Sequence, residues 1–409
     1  MKVTRSRSPK EWSIGSAWAS VLLAGALALL AGCQPIVAPA NQPEIAMPAI
    51  SQEQTDAIDA IVEGMMIDLG VPGTALGIVQ NGELVFAKGY GVTEIGMDNP
   101  VTPQTVFNLA SVAKTLTATA VMQLVEQGKV DLNEPVTTYL PYFEMADERY
   151  QDLTVRHVMT HRTGLPEFEW TAPGFYDNPD NEDGALERFV RSLSDDALSS
   201  APGEEFAYGT LNYAVLGEII ANASGESYND YIRRHLLEPL AMDATHQLYD
   251  ELDFTKLASL HIPGPDGGWI VNPIFPYARV EGPGGHFYTS LEDMAQYAIV
   301  HLRQGSGDNA LLSPESYAQM WTKVSDSPFP PPDTGYGMGW MMGEHGGHRV
   351  VGHSGIDLGY NAFMSLLPDD DMALIILANQ SDAVNLTSLP AFFMRDPILD
   401  ILLGTTSAP

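Results

Sequence analysis

The placement of β-prone segments constrains this chain more than any other feature. Residues 74–79 (TALGIV) and 84–90 (LVFAKGY) meet at Asn81-Gly82, a dipeptide whose residues accept the positive φ angles of a tight hairpin. The next clear candidates lie near the other end, at residues 339–343 and 348–352 and at Tyr360–Leu367 and Met372–Ala378, the last two joined by the turn Pro368-Asp369-Asp370-Asp371. Between them the chain reads as loops and helices, including residues 111–127, 212–223 and 228–236. Strands that open and close a chain around a helical middle bury their apolar faces best by pairing with one another, so one antiparallel sheet built from both ends is expected. Apolar residues at Ile58, Ile61, Val62, Met65 and Met66 have helical spacing and precede Gly70, a C-cap candidate. An apolar segment, Pro390–Leu403, closes the chain. The expected fold class is therefore α/β (α+β): an antiparallel sheet from about 51–107 and 281–405, flanked by N- and C-terminal helices, with a helical region at about 108–280 inserted.

Of 409 residues, 45% are hydrophobic and 18% charged, enough to bury a large core. Lys and Arg number 20 against 52 Asp and Glu, a net charge of -32; such a surface repels polyphosphate backbones, so no nucleic-acid partner is expected. The N-terminus has its own grammar. Lys2, Arg5, Arg7 and Lys10 precede a mostly apolar run over residues 18–30 and then Leu30-Ala31-Gly32-Cys33. That order predicts a secretory signal peptide at 1–32, since the run is shorter than the ~20 residues a span needs. Leu-Ala-Gly-Cys resembles the lipobox of bacterial lipoproteins, which implies lipidation of Cys33 and a protein anchored to the cell envelope, on its periplasmic or extracellular face. Residues 33–50 are Pro- and Ala-rich and read as a tether to a body at 51–405. Cys33 is the only cysteine, so an internal disulfide and a Cys-rich zinc site are both excluded.

Ser111-Val112-Ala113-Lys114 is the first candidate for chemistry. It is the only Ser followed by a Lys three residues later, and on a helix those two side chains share a face. A buried amine can be held neutral enough to take a proton from a serine hydroxyl, which is a poor nucleophile until that happens. The stretch 111–127 lacks Pro and Gly and should be a buried helix, with Asn108 as its N-cap and Gly128 past its end. Alone, the Ser-x-x-Lys spacing has little specificity.

Two further segments raise it: Tyr208-Gly209-Thr210 ahead of a helical stretch, and Gly352-His353-Ser354-Gly355 ahead of a strand-like one. With these the sequence resembles the serine β-lactamase and penicillin-binding protein superfamily, most closely the class C β-lactamase-related branch of β-lactamases, D-stereospecific peptidases and carboxylesterases. The resemblance spans about residues 55–380, including residues 153–166 (LTVRHVMTHRTGLP) and Asn379. It implies a β-lactamase/transpeptidase-like fold and a hydrolase acting on a small-molecule or peptide ester or amide through an acyl-enzyme on Ser111, without metal or organic cofactor. By the same resemblance Lys114 partners Ser111 and Tyr208 is the general base. The backbone N–H groups of Ser111 and Ile356 would form the oxyanion hole, and Thr210, His353, Ser354 and Gly355 would line the substrate.

Two positions depart from the lactamase pattern. Thr210 stands where lactamases have Asn, and His353 where they have Lys, which makes esters or peptides the expected substrates ahead of β-lactams. D-Alanyl-D-alanine carboxypeptidase or β-lactamase activity is the enzymatic alternative, and a non-catalytic envelope-binding lipoprotein the alternative of another class. An unperturbed His353 would titrate near ~6.5, so anionic substrates should gain as pH falls; a charged Lys114 should lower the Tyr208 pKa. His157 and His161 are four apart like metal ligands, but without a third ligand both read as structural. No Gly-x-Ser-x-Gly elbow is present.

Overall fold

A computed structural model describes residues 50–167, 176–307, 309–327, 329, 333–386 and 388–405. The expected signal peptide, Cys33 and all of the expected tether but Ile50 lie outside the described residues. Among the described residues twelve strands occur in chain order: β1 (Gly73–Gln80), β2 (Glu83–Gly91), β3 (Val106–Asn108), β4 (His261–Pro263), β5 (Trp269–Val271), β6 (Tyr288–Ser290), β7 (Ser325–Asp326), β8 (Gly335–Tyr336), β9 (Met341–His345), β10 (His348–Asp357), β11 (Tyr360–Leu367) and β12 (Met372–Ala378). Eight form one sheet in the order β2-β1-β12-β11-β10-β9-β8-β7. Every pairing in it is antiparallel, and β1 joins β12 with Leu76 opposite Ile376. The two chain ends thus build one sheet, as their strand pattern requires.

Ten α-helices among the described residues cover the sheet and fill the inserted region. They are α1 (Gln52–Leu69), α2 (Ala113–Glu126), α3 (Val136–Tyr139), α4 (Val155–Met159), α5 (Ala185–Ser192), α6 (Leu211–Ser224), α7 (Tyr228–Ile232), α8 (Leu291–Leu302), α9 (Pro314–Met320) and α10 (Pro390–Leu403). Alternation along the strands sends side chains to opposite faces. Leu76, Ile78, Leu374 and Ile376 meet Ile58 and Val62 of α1 and Met394 and Ile398 of α10, while Ala75, Val79, Ala373 and Ile375 join the larger core with Met294 and Ala298 of α8. Helix α1 begins at Gln52, six residues before its apolar period, because Ser51 and Gln54 cap each other reciprocally at 3.1 Å.

Three expectations need correction. The inserted region carries its own two-stranded sheet, β4–β5, too short to show periodicity. Strand β9 starts at Met341, two residues late, because Gly339 turns at φ 81°. The Gly-His-Ser-Gly motif does not precede a strand; it lies inside β10. Its glycines suppress β propensity, yet they are what lets β10 in: a Cβ at Gly352 would lie 2.0 Å from the Met364 carbonyl oxygen. One at Gly355 would lie 2.2 Å from that of Leu109.

Candidate active site

Ser111 lies in a short 3₁₀ turn, Ala110–Val112, and α2 begins only at Ala113. Asn108 caps that turn rather than the helix, its Oδ1 accepting from the Ala110 N–H at 2.8 Å. Ala110 sits at φ 46°, a left-handed conformation that is costly for a residue with a Cβ. The strain marks the turn that presents Ser111 to the cleft. Gly355 matters here, since only a residue without a Cβ lets β10 close on Leu109 and Ala110.

Helix α2 is buried over nearly its whole circumference, so its polar side chains must find partners inside. Lys114 has no exposed surface; its Nζ donates to Ser111 Oγ at 3.0 Å and to the Gly284 carbonyl oxygen at 2.6 Å. Burial, resisted by the Glu167 and Glu281 carboxylates, brings its pKa down to about 7. The amine can therefore hold or release a proton near neutrality. Glu167 has an exposed flank, but its Oε2 turns inward to accept from the Leu211 N–H at 3.4 Å. Burial raises its pKa to about 7 against the pull of Lys114, so the two groups titrate as a pair.

The Tyr208 hydroxyl is close enough to that of Ser111 to feel it, and its ring centroid is 5.0 Å from Lys114 Nζ. Serine, amine and phenol are thus brought together. The expected lowering of the phenol pKa does not occur. Burial pushes it up, and Tyr213 and Glu167 add to the rise against the influence of the Ser111 hydroxyl. The same desolvation discharges the lysine that was to depress it.

His353 is 1% exposed and engaged at both ring nitrogens. Its Nδ1–H donates to the Ser354 carbonyl oxygen at 2.6 Å, which leaves Nε2 to accept from the Tyr336 hydroxyl at 3.3 Å. His161, read from sequence as structural only, lies on the far side of that hydroxyl. Its Nδ1 accepts from Gly209 N–H at 3.2 Å and Asn212 Nδ2 at 2.9 Å, so its Nε2–H donates to Tyr336 at 3.1 Å. Its ring stands 4.4 Å from that of Tyr208. Burial, then the proximity of Lys114, pushes the His353 pKa down to about 3 despite the bond to Ser354. The expected titration near 6.5 is overturned, because an imidazole so enclosed stays neutral. His157 sits apart, its Nδ1 accepting from Thr154 N–H at the start of α4. Among the described residues no group of three His, Cys, Asp or Glu side chains is disposed to hold a metal ion.

Ser111, Thr210 and Ile356 line one narrow cleft. Thr210 packs on the backbone of Gly284, where a Cβ would lie 2.8 Å from its Cγ2, and Ser354 is buried with its hydroxyl directed to Met341 Sδ at 3.7 Å. The same cleft is lined by Tyr176, Glu281, His286 and Asp357, none of which the sequence reading singled out. The glycine-rich run Glu281-Gly282-Pro283-Gly284-Gly285-His286 was the available signal. Strung between two ionisable residues, it reads as an ordinary loop until the fold sets it against Lys114.

A buried lysine on a serine with a tyrosine beside it, between a mixed α/β insertion and an eight-stranded antiparallel sheet, is the arrangement of the serine β-lactamase and penicillin-binding protein class. The β-lactamase family profile matches residues 58–390, and the chain belongs to that family. It is 30% identical over 320 residues to penicillin-binding protein 4 of Amycolatopsis lactamdurans, covering 76% of this chain and 81% of that one. It is 26% identical over 331 residues to protein flp of Staphylococcus aureus strain MW2, covering 81% of this chain but only 64% of the relative's length. Among solved structures, the octameric penicillin-binding protein homologue from Pyrococcus abyssi superposes with a TM-score of 0.75 at 28% identity, covering 86% of this chain and 77% of that one.

Proposed function

We propose that the protein hydrolyses small-molecule or peptide esters or amides through an acyl-enzyme on Ser111. The observation that carries this reading is the 3.0 Å contact between Ser111 Oγ and a lysine whose burial brings its pKa to about 7. Neutral Lys114 accepts the hydroxyl proton as Oγ attacks the carbonyl carbon. Tyr208, kept protonated by burial, holds the serine oxygen and relays the proton to the leaving group. The backbone N–H groups of Ser111 and Ile356, both lining the cleft, receive the oxyanion, where fixed donors are worth about 3–4 kcal/mol each. Water then attacks the ester with Lys114 again as base, returning serine and the free acid.

Intact-mass measurement after treatment with a fluorophosphonate tests this. One adduct is expected, absent in Ser111→Ala; an adduct that persists in that variant overturns the assignment. The similarity to a penicillin-binding protein supports a second reading of the substrate, D-alanyl-D-alanine peptides or β-lactams. Thr210 and the uncharged His353 favour simple esters and peptides over it. A higher kcat/KM for a chromogenic cephalosporin than for every ester tested would reverse that preference. For the N-terminus the proposal is export, lipidation of Cys33 and retention at the cell envelope. Replacing Cys33 should release the protein into the soluble fraction, and a soluble, unmodified wild type would end this reading.

A further inference from the structure

The cleft that holds Ser111 is also lined by three buried titratable side chains that no motif announces. His286 Nε2 lies 3.4 Å from Glu281 Oε2 and 3.4 Å from Asp357 Oδ2, and the three residues are 2–4% exposed. The Tyr176 hydroxyl donates to the same Glu281 oxygen at 2.7 Å. Burial opposes the charged imidazole, but the Asp357 hydrogen bond and both carboxylate charges outweigh it and raise the His286 pKa. A cation between two buried carboxylates is attracted to both, and removing it would leave two like charges buried side by side.

Each member is tied to a different part of the proposed machinery. Asp357 follows Ile356 at the end of β10, and its Oδ2 accepts from Asn108 Nδ2 at 2.7 Å. Asn108 in turn fixes the Ala110 N–H, one residue before Ser111. Glu281 and His286 are the two ends of the glycine-rich run whose Gly284 carbonyl accepts from Lys114. Pro283 in that run accepts from Thr117 Oγ1 of α2 at 2.6 Å. Glycine is required inside it, since a Cβ at Gly282 would fall 1.4 Å from Gln247 Nε2.

We infer that Glu281, His286 and Asp357 act as one positioning unit that holds the Ser111 turn, the carbonyl partner of Lys114 and the strand bearing Ile356 in a common register. The inference rests on the acyl-transfer reading above. The three residues need not touch the reacting atoms. They act by fixing where Oγ, Nζ and an oxyanion donor stand, and a misplacement of about 1 Å among such groups can cost about 100-fold in rate.

The test uses the full-length protein and the fluorophosphonate, separating the saturating acylation rate from the half-saturating concentration. Glu281→Gln, His286→Gln and Asp357→Asn should each slow the saturating rate at least ~10-fold and leave the half-saturating concentration within ~2-fold. Because the three act together, Glu281→Gln with Asp357→Asn should be no more than ~2-fold slower than the slower single variant. A wild-type rate in folded His286→Gln, or losses that multiply in the double variant, overturns the inference. Proton NMR gives a readout independent of chemistry, and serves if His286→Gln fails to fold. A downfield His286 ring N–H resonance should be present in the wild type and lost in Asp357→Asn; its absence from the wild type, or persistence in the variant, also overturns the inference. A wild type that forms no Ser111 adduct removes the acyl-transfer reading and this inference with it, whereas a normal adduct with unchanged variant rates removes the positioning unit alone.

Discussion

Two buried histidines, one in the cleft with Ser111 and one beside Lys114, have pKa values displaced in opposite directions. His353 and His286 are 1% and 2% exposed, so desolvation acts on both. His353 faces a backbone carbonyl, a tyrosine hydroxyl and the nearby lysine, and its pKa falls to about 3. His286 faces two carboxylates, and its pKa rises. Burial sets the cost of the charged form, and the partner decides whether the charged form persists. Two environments meet at Lys114, a neutral and aromatic wall around His353 and an ionic wall that includes Glu281 and His286.

The largest effect should come from the group between the walls. Lys114→Ala should slow acylation of a neutral ester by at least ~1,000-fold, and a loss below ~10-fold would remove the lysine as base. Tyr208→Phe on the neutral wall should cost at least ~100-fold, and the double variant little more than Lys114→Ala; fully additive losses would separate the two.

The pH profile sharpens the comparison. Only the unprotonated amine accepts a proton, so acylation of a neutral ester should rise with pH through about 7, the value to which burial brings Lys114. Glu167, Glu281, His161, His353, Tyr208 and Tyr213 face Lys114. Of these Glu167 also titrates near 7, so Glu167→Gln, which removes a carboxylate that raises the lysine pKa, should move this limb to lower pH. A flat profile down to pH 5 would refute the lysine assignment. The smallest expected effect belongs to His353. With its pKa near 3 it stays neutral from pH 6 to 8, so the ratio of anionic to neutral ester turnover should be constant across that window. A ratio that climbs toward pH 6 would show that the neutral wall acquires charge.

Much of this was legible in order along the chain. The Asn81-Gly82 hairpin and the strands Tyr360–Leu367 and Met372–Ala378 follow from local periodicity and turn chemistry, the apolar segment Pro390–Leu403 forms the closing helix, and the three-residue spacing brings Lys114 onto Ser111 although Ser111 lies in the turn before α2. The short strands β4, β5, β7 and β8 were not legible, since two or three residues carry no period and only pairing defines them. Residues 348–357 became one strand for a reason that local propensity opposes: their glycines are required by the close approach of Leu109 and Met364.

The amino-acid sequence by itself determined which chemistry could be assembled: one Ser-x-x-Lys, a tyrosine ahead of a helix, and strands at both ends to frame them. Side-chain identity and short-range geometry suffice for that. The tertiary structure alone decided the charge each group carries. Lys114, Tyr208, His353 and His286 have ordinary pKa values as free side chains, and all four are displaced by burial and by partners, some of them more than 100 residues away in the chain. Desolvation and Coulomb interactions act through space, so Glu281, His286 and Asp357 could enter the site only once the fold had brought them beside Ser111.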